Sequence, residues 1–156
     1  MFGSSLDFTK KPEVVIKAVK ALDGKIVDVH YADNELYIDY LCPVTRNPLV
    51  SQAEAVKEIV ESVREAKGAE TLKFVGVILH EPTVDKHNNK GSGKTMELYW
   101  DAPTLAKINW KGLQDWQFLG LVDQVDLGPL GADALKKYCG ERHGSAEAFC
   151  RKAGAW

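Results

Sequence analysis

Five residues in the middle of this chain, Gly91-Ser92-Gly93-Lys94-Thr95, spell the end of a phosphate-binding loop. That chemistry requires G-x-x-x-x-G-K-[ST] between a strand and a helix, so that free helix N–H groups face the phosphates. Five positions before Gly93 stands Asn88, not glycine, and Thr95 runs directly into the strand-like "MELYW". The pattern fails in residues and in context, and a polar connection of Gly, Asn, Ser and Lys is the better reading.

Other residues could do chemistry by type. His80, Glu81, Asp85 and His87 offer two imidazoles and two carboxylates on one stretch. The second His falls seven positions after the first, which does not match H-E-x-x-H. Solvated loops commonly have this composition, so no metal site is assigned, and His80, Asp85 and His87 remain weak candidates. Cys42-Pro43 reads as a half-buried thiol before a ladder-ending proline. Cys139 and His143 are spaced for an activated thiol on a helix, but Gly140 between them breaks that geometry. No nucleophile elbow, C-x-x-C or cofactor fingerprint occurs, so neither a catalytic residue nor a cofactor is assigned. Tyr99, Trp100, Trp110, Trp116 and Phe118 could stack on a ligand, but core packing is the usual role of such a group.

The strongest constellation lies in "KIVDVHYADNELYIDYL". Alternation on both sides of Asp33-Asn34 predicts a hairpin, with the turn spanning Ala32 to Glu35. Pairing Tyr31 with Leu36 sets Val29 against Ile38 and Asp28 against Asp39, with His30 and Tyr37 adjacent on the same face. Like charges directly opposite are destabilising. Asp28, His30, Tyr37 and Asp39 therefore form a candidate patch for a cation or a basic partner. The alternative is a solvated sheet face, or a bulge that separates the two acids.

These residues need elements to hold them. A helix is expected from about Pro12 to Leu22, with Gly24 as its stop. After the hairpin, Ser51-Gln52-Ala53-Glu54 reads as a capping box, followed by a buried stripe of Val56, Ile59, Val60 and Val63 and a stop at Gly68. "TLKFVGVIL" is nearly continuous in apolar residues and predicts a central strand covered on both faces. A long loop from His80 to Lys94 then leads to the strand "TMELYW". Asp101 is expected to cap a short helix with Pro103 in its first turn. Trp110, Leu113, Trp116, Phe118, Leu119, Leu121 and Val122 bring a large apolar load without clean periodicity. Short helices near Ala132 to Cys139 and Ala146 to Ala153 close the chain, the second with Ser145 as N-cap.

The order helix, strand, strand, helix, strand predicts an α+β fold: a small, mainly antiparallel sheet with helices on one face and a C-terminal helical hairpin. Over about the first 80 residues this order is similar to that of several small periplasmic and secretion-ring modules, by element order alone. The chain has 156 residues, 45% hydrophobic and 27% charged, and no repeat or low-complexity linker, which fits one domain over 1–156. A net charge of −2 with scattered Lys and Arg disfavours nucleic acid as a partner. No apolar run approaches the ~20 residues of a membrane span.

Cys139 and Cys150 fall on the two closing helices, where a disulfide would staple elements too short to be stable alone. Two reduced core thiols are the rival reading. The bridge is preferred, and with it a periplasmic or secreted location, a trimmed leader, and Cys42 as the odd thiol. The expected function is a non-catalytic binding or interaction module for an unidentified protein or small molecule. The rivals are a small metal-dependent or hydrolytic enzyme using the 80–94 loop or the hairpin acids, and a structural subunit of a larger assembly.

Overall fold

A computed structural model describes residues 6–42, 47–141 and 145–156. Its framework is a five-stranded sheet in the order β1-β2-β3-β4-β5, formed by β1 (Ile26–Ala32), β2 (Glu35–Leu41), β3 (Phe74–Val84), β4 (Lys90–Asp101) and β5 (Gln124–Leu127). Among these five strands β2 and β3 pair in parallel, and the other neighbours are antiparallel. The helices are α1 (Pro12–Lys20), α2 (Pro48–Ser51), α3 (Ala53–Glu65), α4 (Ala102–Lys107), α5 (Asp115–Gly120), α6 (Gly131–Glu141) and α7 (Glu147–Lys152). The fold is α+β, with the helices gathered on one side of the sheet.

The hairpin forms as its alternation predicts. Asp33 and Asn34 both take positive φ, 54° and 62°, the conformation of a two-residue turn whose twist matches the strands it joins. Register then follows, with Tyr31 opposite Leu36, Val29 opposite Ile38, His30 opposite Tyr37 and Asp28 opposite Asp39. A bulge between Ile26 and Asp28 turns Val27 outward, and Ile26 is buried in its place. The acids stay paired, because the bulge falls beyond them.

One face of the sheet builds the core. Leu36, Ile38 and Tyr40 on β2 lie beside Val75, Val77 and Leu79 on β3, which lie beside Trp100, Leu98 and Met96 on β4. All nine are buried, and α3 adds Val56, Ile59, Val60 and Val63 above them. Trp100 stacks on Phe118 of α5 at 4.4 Å between ring centroids. Its indole N–H reaches the Phe118 carbonyl oxygen at 3.3 Å. One polar pair is buried here: the Tyr40 hydroxyl donates to Gln52 Oε1 at 2.9 Å.

Several expectations need correction. Ser51 does not cap α3; it ends α2, which Asn47 caps by accepting the Leu49 N–H at 3.0 Å. Gln52 takes the N-cap position of α3 without a capping side chain, since that side chain already serves Tyr40. The helices α1 and α3 stop at Lys20 and Glu65, short of Leu22 and Gly68. The segment 80–94 is not a loop. Strands β3 and β4 run through it as an extended hairpin, turning at 85–89. β3 is central but covered on one face only: Phe74, Ile78 and His80 on the other face are half-buried. β5 was not anticipated, and Ala146 rather than Ser145 precedes α7. Asp101 caps α4 as expected, accepting the Thr104 N–H at 3.1 Å.

The C-terminal helices close against the same core. Cys139 on α6 and Cys150 on α7 are joined by a disulfide, with their Cα atoms 5.9 Å apart. Tyr138 and Phe149 meet edge to face beside it at 5.7 Å. Strand β4 receives the start of α6 very closely: a Cβ on Gly131 would stand 2.1 Å from the Thr95 carbonyl oxygen, so that position takes no side chain.

Candidate functional site

The side chains that alternate with the core residues point to the opposite face of the sheet, where they are half-buried or exposed. Cross-strand register orders them in rows. One row runs Asp28, Asp39, Ile78, Glu97 and Asp126, and the next runs His30, Tyr37, Gly76, Tyr99 and Gln124. All four hairpin candidates, Asp28, His30, Tyr37 and Asp39, therefore share this open face.

Within the patch, the His30 imidazole stands between the two acids, Nε2 being 3.2 Å from Asp28 Oδ2 and 3.7 Å from Asp39 Oδ2. Asp28 uses its other oxygen to accept the Val29 N–H at 2.9 Å. Asp39 is held more firmly: its Oδ1 lies 2.7 Å from His80 Nε2, brought alongside by the parallel pairing of β2 with β3. Asp39 and His80 are mostly covered, with side-chain exposures of 16% and 21%, whereas Asp28 and His30 are open to solvent. The facing carboxylates are thus bridged by an imidazole. Among the described residues, Asp28, His30 and Asp39 form a group whose ligand atoms all lie within 4.8 Å of one another, a spacing that suits one cation.

Farther across the face, the Lys94 ammonium donates to Glu97 Oε2 at 2.8 Å, and the Tyr99 hydroxyl donates to Glu97 Oε1. The Lys94 bond first, and the Tyr99 bond after it, hold the Glu97 carboxyl below its ordinary value. Burial, reinforced by the bond to Glu97, raises the Tyr99 phenol well above its own. Lys94, the lysine of the GSGKT stretch, is thus committed to a carboxylate, and all five residues lie within β4. No helix opens after Thr95.

The remaining candidates separate. Asp85 folds its own turn, accepting the N–H groups of His87 and Asn89, each at 2.8 Å. His80 faces Asp39 instead, so His80, Asp85 and His87 do not converge. Glu81 accepts the Thr95 hydroxyl at 2.5 Å. Cys42 is buried, and burial pushes its thiol up to about 12, a poor setting for a nucleophile. Pro43 and His143 lie outside the described residues. Cys139 is bonded to Cys150 and offers no thiol. The aromatic group divides. Trp100 and Phe118 are core, and Trp110 tilts onto Phe118 at 5.6 Å. Trp116 is 36% exposed, and Tyr99 belongs to the open face.

Sequence reasoning missed Phe74 and Glu97 on this face, and it named His80 and Tyr99 only in other groups, with the 80–87 polar stretch and with the aromatic cluster. Alternation within "KTMELYW" carried the signal for Glu97 and Tyr99, but their neighbours depend on sheet order. The class these features define is an α+β protein with one side of its sheet buried under helices and the other exposed, acidic and aromatic. Comparison of the chain with known families, curated proteins and solved structures finds no match.

Proposed function

We propose that this protein is a non-catalytic binding module that works in an oxidising compartment outside the cytoplasm. Its recognition surface is the open sheet face, and Asp28, His30, Tyr37 and Asp39 meet a cation or a basic partner. One observation carries this reading: cross-strand register sets two carboxylates and two imidazoles together on a rigid sheet face, with Asp28 and His30 open to solvent and Asp39 and His80 mostly covered behind them. Such a surface is pre-ordered by the sheet, so little conformational entropy is lost when a ligand docks.

Backbone NMR titrations test it, with Zn²⁺ in one arm and a lysine-rich peptide in the other. Saturable shifts centred on Asp28, His30 and Asp39 are expected in at least one arm, weakened about tenfold or more in Asp39→Asn. Shifts absent from both arms would refute the reading. The compartment is tested separately. A thiol count in denaturant without reductant should give one per chain, from Cys42, because Cys139 and Cys150 are bridged, a bond that a reducing cytosol would not keep. Three would remove the claim of export.

A metal-dependent enzyme is the second reading, favoured by the Asp28, His30 and Asp39 group. Three ligands that leave a coordination position free are the arrangement of a catalytic zinc. Zn²⁺-dependent hydrolysis of activated esters, lost in His30→Ala, would favour it over the first.

A further inference from the structure

Beyond the hairpin patch the same face changes character. Tyr37, Gly76 and Tyr99 are cross-strand neighbours on β2, β3 and β4, so a residue without a side chain lies between two phenols. The Tyr99 ring leans into that gap: a Cβ on Gly76 would fall 2.7 Å from Tyr99 Cε1 and 3.5 Å from Tyr37 Cδ1. Phe74, two residues earlier in β3, completes a set of three rings. Their centroids are 5.3, 5.6 and 6.3 Å apart, and each pair is close to perpendicular at 79°, 81° and 86°. The rings border an open cavity of about 490 Å³, whose lining is completed by Asp101, Asp123 and Gln124. Sites for small molecules run from ~300 to 1,000 Å³.

The charged side chains in this cavity's described lining have one sign: there are two carboxylates and no Lys, Arg or His. Lys107, on α4, acts on Asp101 from outside the lining. Both acids are fixed in place. Asp123 accepts the Asp101 N–H at 2.8 Å and the Thr104 hydroxyl at 2.9 Å, while Asp101 accepts the Thr104 N–H at 3.1 Å. The two phenols donate their protons to carboxylates, Tyr99 to Glu97 and Tyr37 to Glu35. A phenol that donates to an anion holds more electron density in its ring, and that density attracts a cation to the ring face.

We propose that this cavity binds a small organic cation carrying a methylated ammonium group. Ring faces cannot replace the water around a small hard metal ion, because they present no lone pairs to it. The N-methyl shell of such an ammonium is apolar and spreads its positive charge over the methyl groups. It can therefore lie against the rings while Asp101 and Asp123 balance the charge. This inference rests on the open face being the recognition surface, and it names the chemistry taken at the aromatic end.

Choline and its uncharged carbon analogue 3,3-dimethylbutan-1-ol test it, followed through the ¹³C-labelled rings of the unaltered protein. Choline should shift the Tyr37, Phe74 and Tyr99 resonances saturably and bind at least about tenfold more tightly than the analogue. Phe74→Leu should abolish the shifts on the two tyrosines. Equal affinity for both molecules would mean a merely apolar groove and would overturn the proposal, as would the absence of saturable shifts. That comparison needs no variant, so it holds even if Phe74→Leu folds poorly. If the rings stay silent to choline while Asp28, His30 and Asp39 respond to Zn²⁺ or peptide, the aromatic site falls and the functional reading stands. Ring shifts without a hairpin response support the aromatic site and count against the hairpin patch.

Discussion

The two faces of the sheet are made by the same strands and differ in what each alternate residue does. On the covered face, Leu36, Ile38, Val75, Val77, Leu98 and Trp100 each expose 0% of their surface. Neighbours one position away, such as Tyr37, Asp39, Glu97 and Tyr99, are half-buried and organised by hydrogen bonds and ring contacts. The covered face draws its stability from dry packing and loses most when atoms are removed. The open face instead holds polar groups in hydrogen bonds and ion pairs, such as Asp39 with His80 and Glu97 with Lys94.

The largest expected effect sharpens this contrast directly. Leu98→Ala should cost about 2–5 kcal/mol, because the cavity it leaves cannot collapse or fill with water. Ile78→Ala, on the adjacent strand but facing outward, should cost about 1 kcal/mol, since that side chain is only partly buried and its loss opens to solvent rather than leaving a closed cavity. Urea unfolding of both variants checks the pair, and equal losses would break the distinction between faces. Next in size is the disulfide on the covered side. Replacing Cys139 and Cys150 together with Ala should lower stability by about 3 kcal/mol, as expected for a short closed loop. The thermal midpoint of unfolding reports it.

A pH effect isolates the open face. Because Lys94 and then Tyr99 lower the Glu97 carboxyl in the folded protein, its contribution is complete above the ordinary value of 4.5. It is lost as pH falls below 4.5 and through the lower folded value. Stability of the natural protein should drop more steeply than that of Glu97→Gln between about pH 5 and pH 3. Parallel curves would show that the bonds to Lys94 and Tyr99 add nothing. Smallest of all, Asp28→Asn should change stability by no more than a few tenths of a kcal/mol. His30 already separates the facing acids, and Asp28 is exposed. A loss above about 1 kcal/mol would mean that this patch is structural.

What the sequence made legible follows from how local each signal is. The β1–β2 register could be read because the Asp33-Asn34 turn and two alternating strands fix it within seventeen residues of contiguous chain. The stripe on α3 and the two bridged cysteines were legible for the same reason. The extended β3–β4 hairpin was not, because 80–94 is mostly polar and largely exposed, and such a strand shows no apolar period. β5 is four residues long with no buried side chain, too little for any periodicity. The capping box at Ser51 was a correct motif in a place already taken by the helix that Asn47 and Pro48 begin. The open face was half legible. Its hairpin acids are local, but the meeting of Tyr37, Phe74 and Tyr99, and of Asp39 with His80, is set by sheet order and the single parallel pairing.

That parallel pairing also governs how the chain can assemble in time. β1 with β2 and β3 with β4 are two hairpins, each able to close from local contacts on a scale of ~1–10 μs. Their union waits on α3, since β2 and β3 can align only after the intervening crossover has folded back and its loop entropy has been lost. The expected rate-limiting event is therefore the docking of two preformed halves along one seam. Truncations at Ile38 or Val77 should slow refolding, whereas truncations at Phe149 should mainly hasten unfolding, and stopped-flow kinetics separate the two. The seam that brings His80 to Asp39 is thus also the expected slow step in joining the two hairpins.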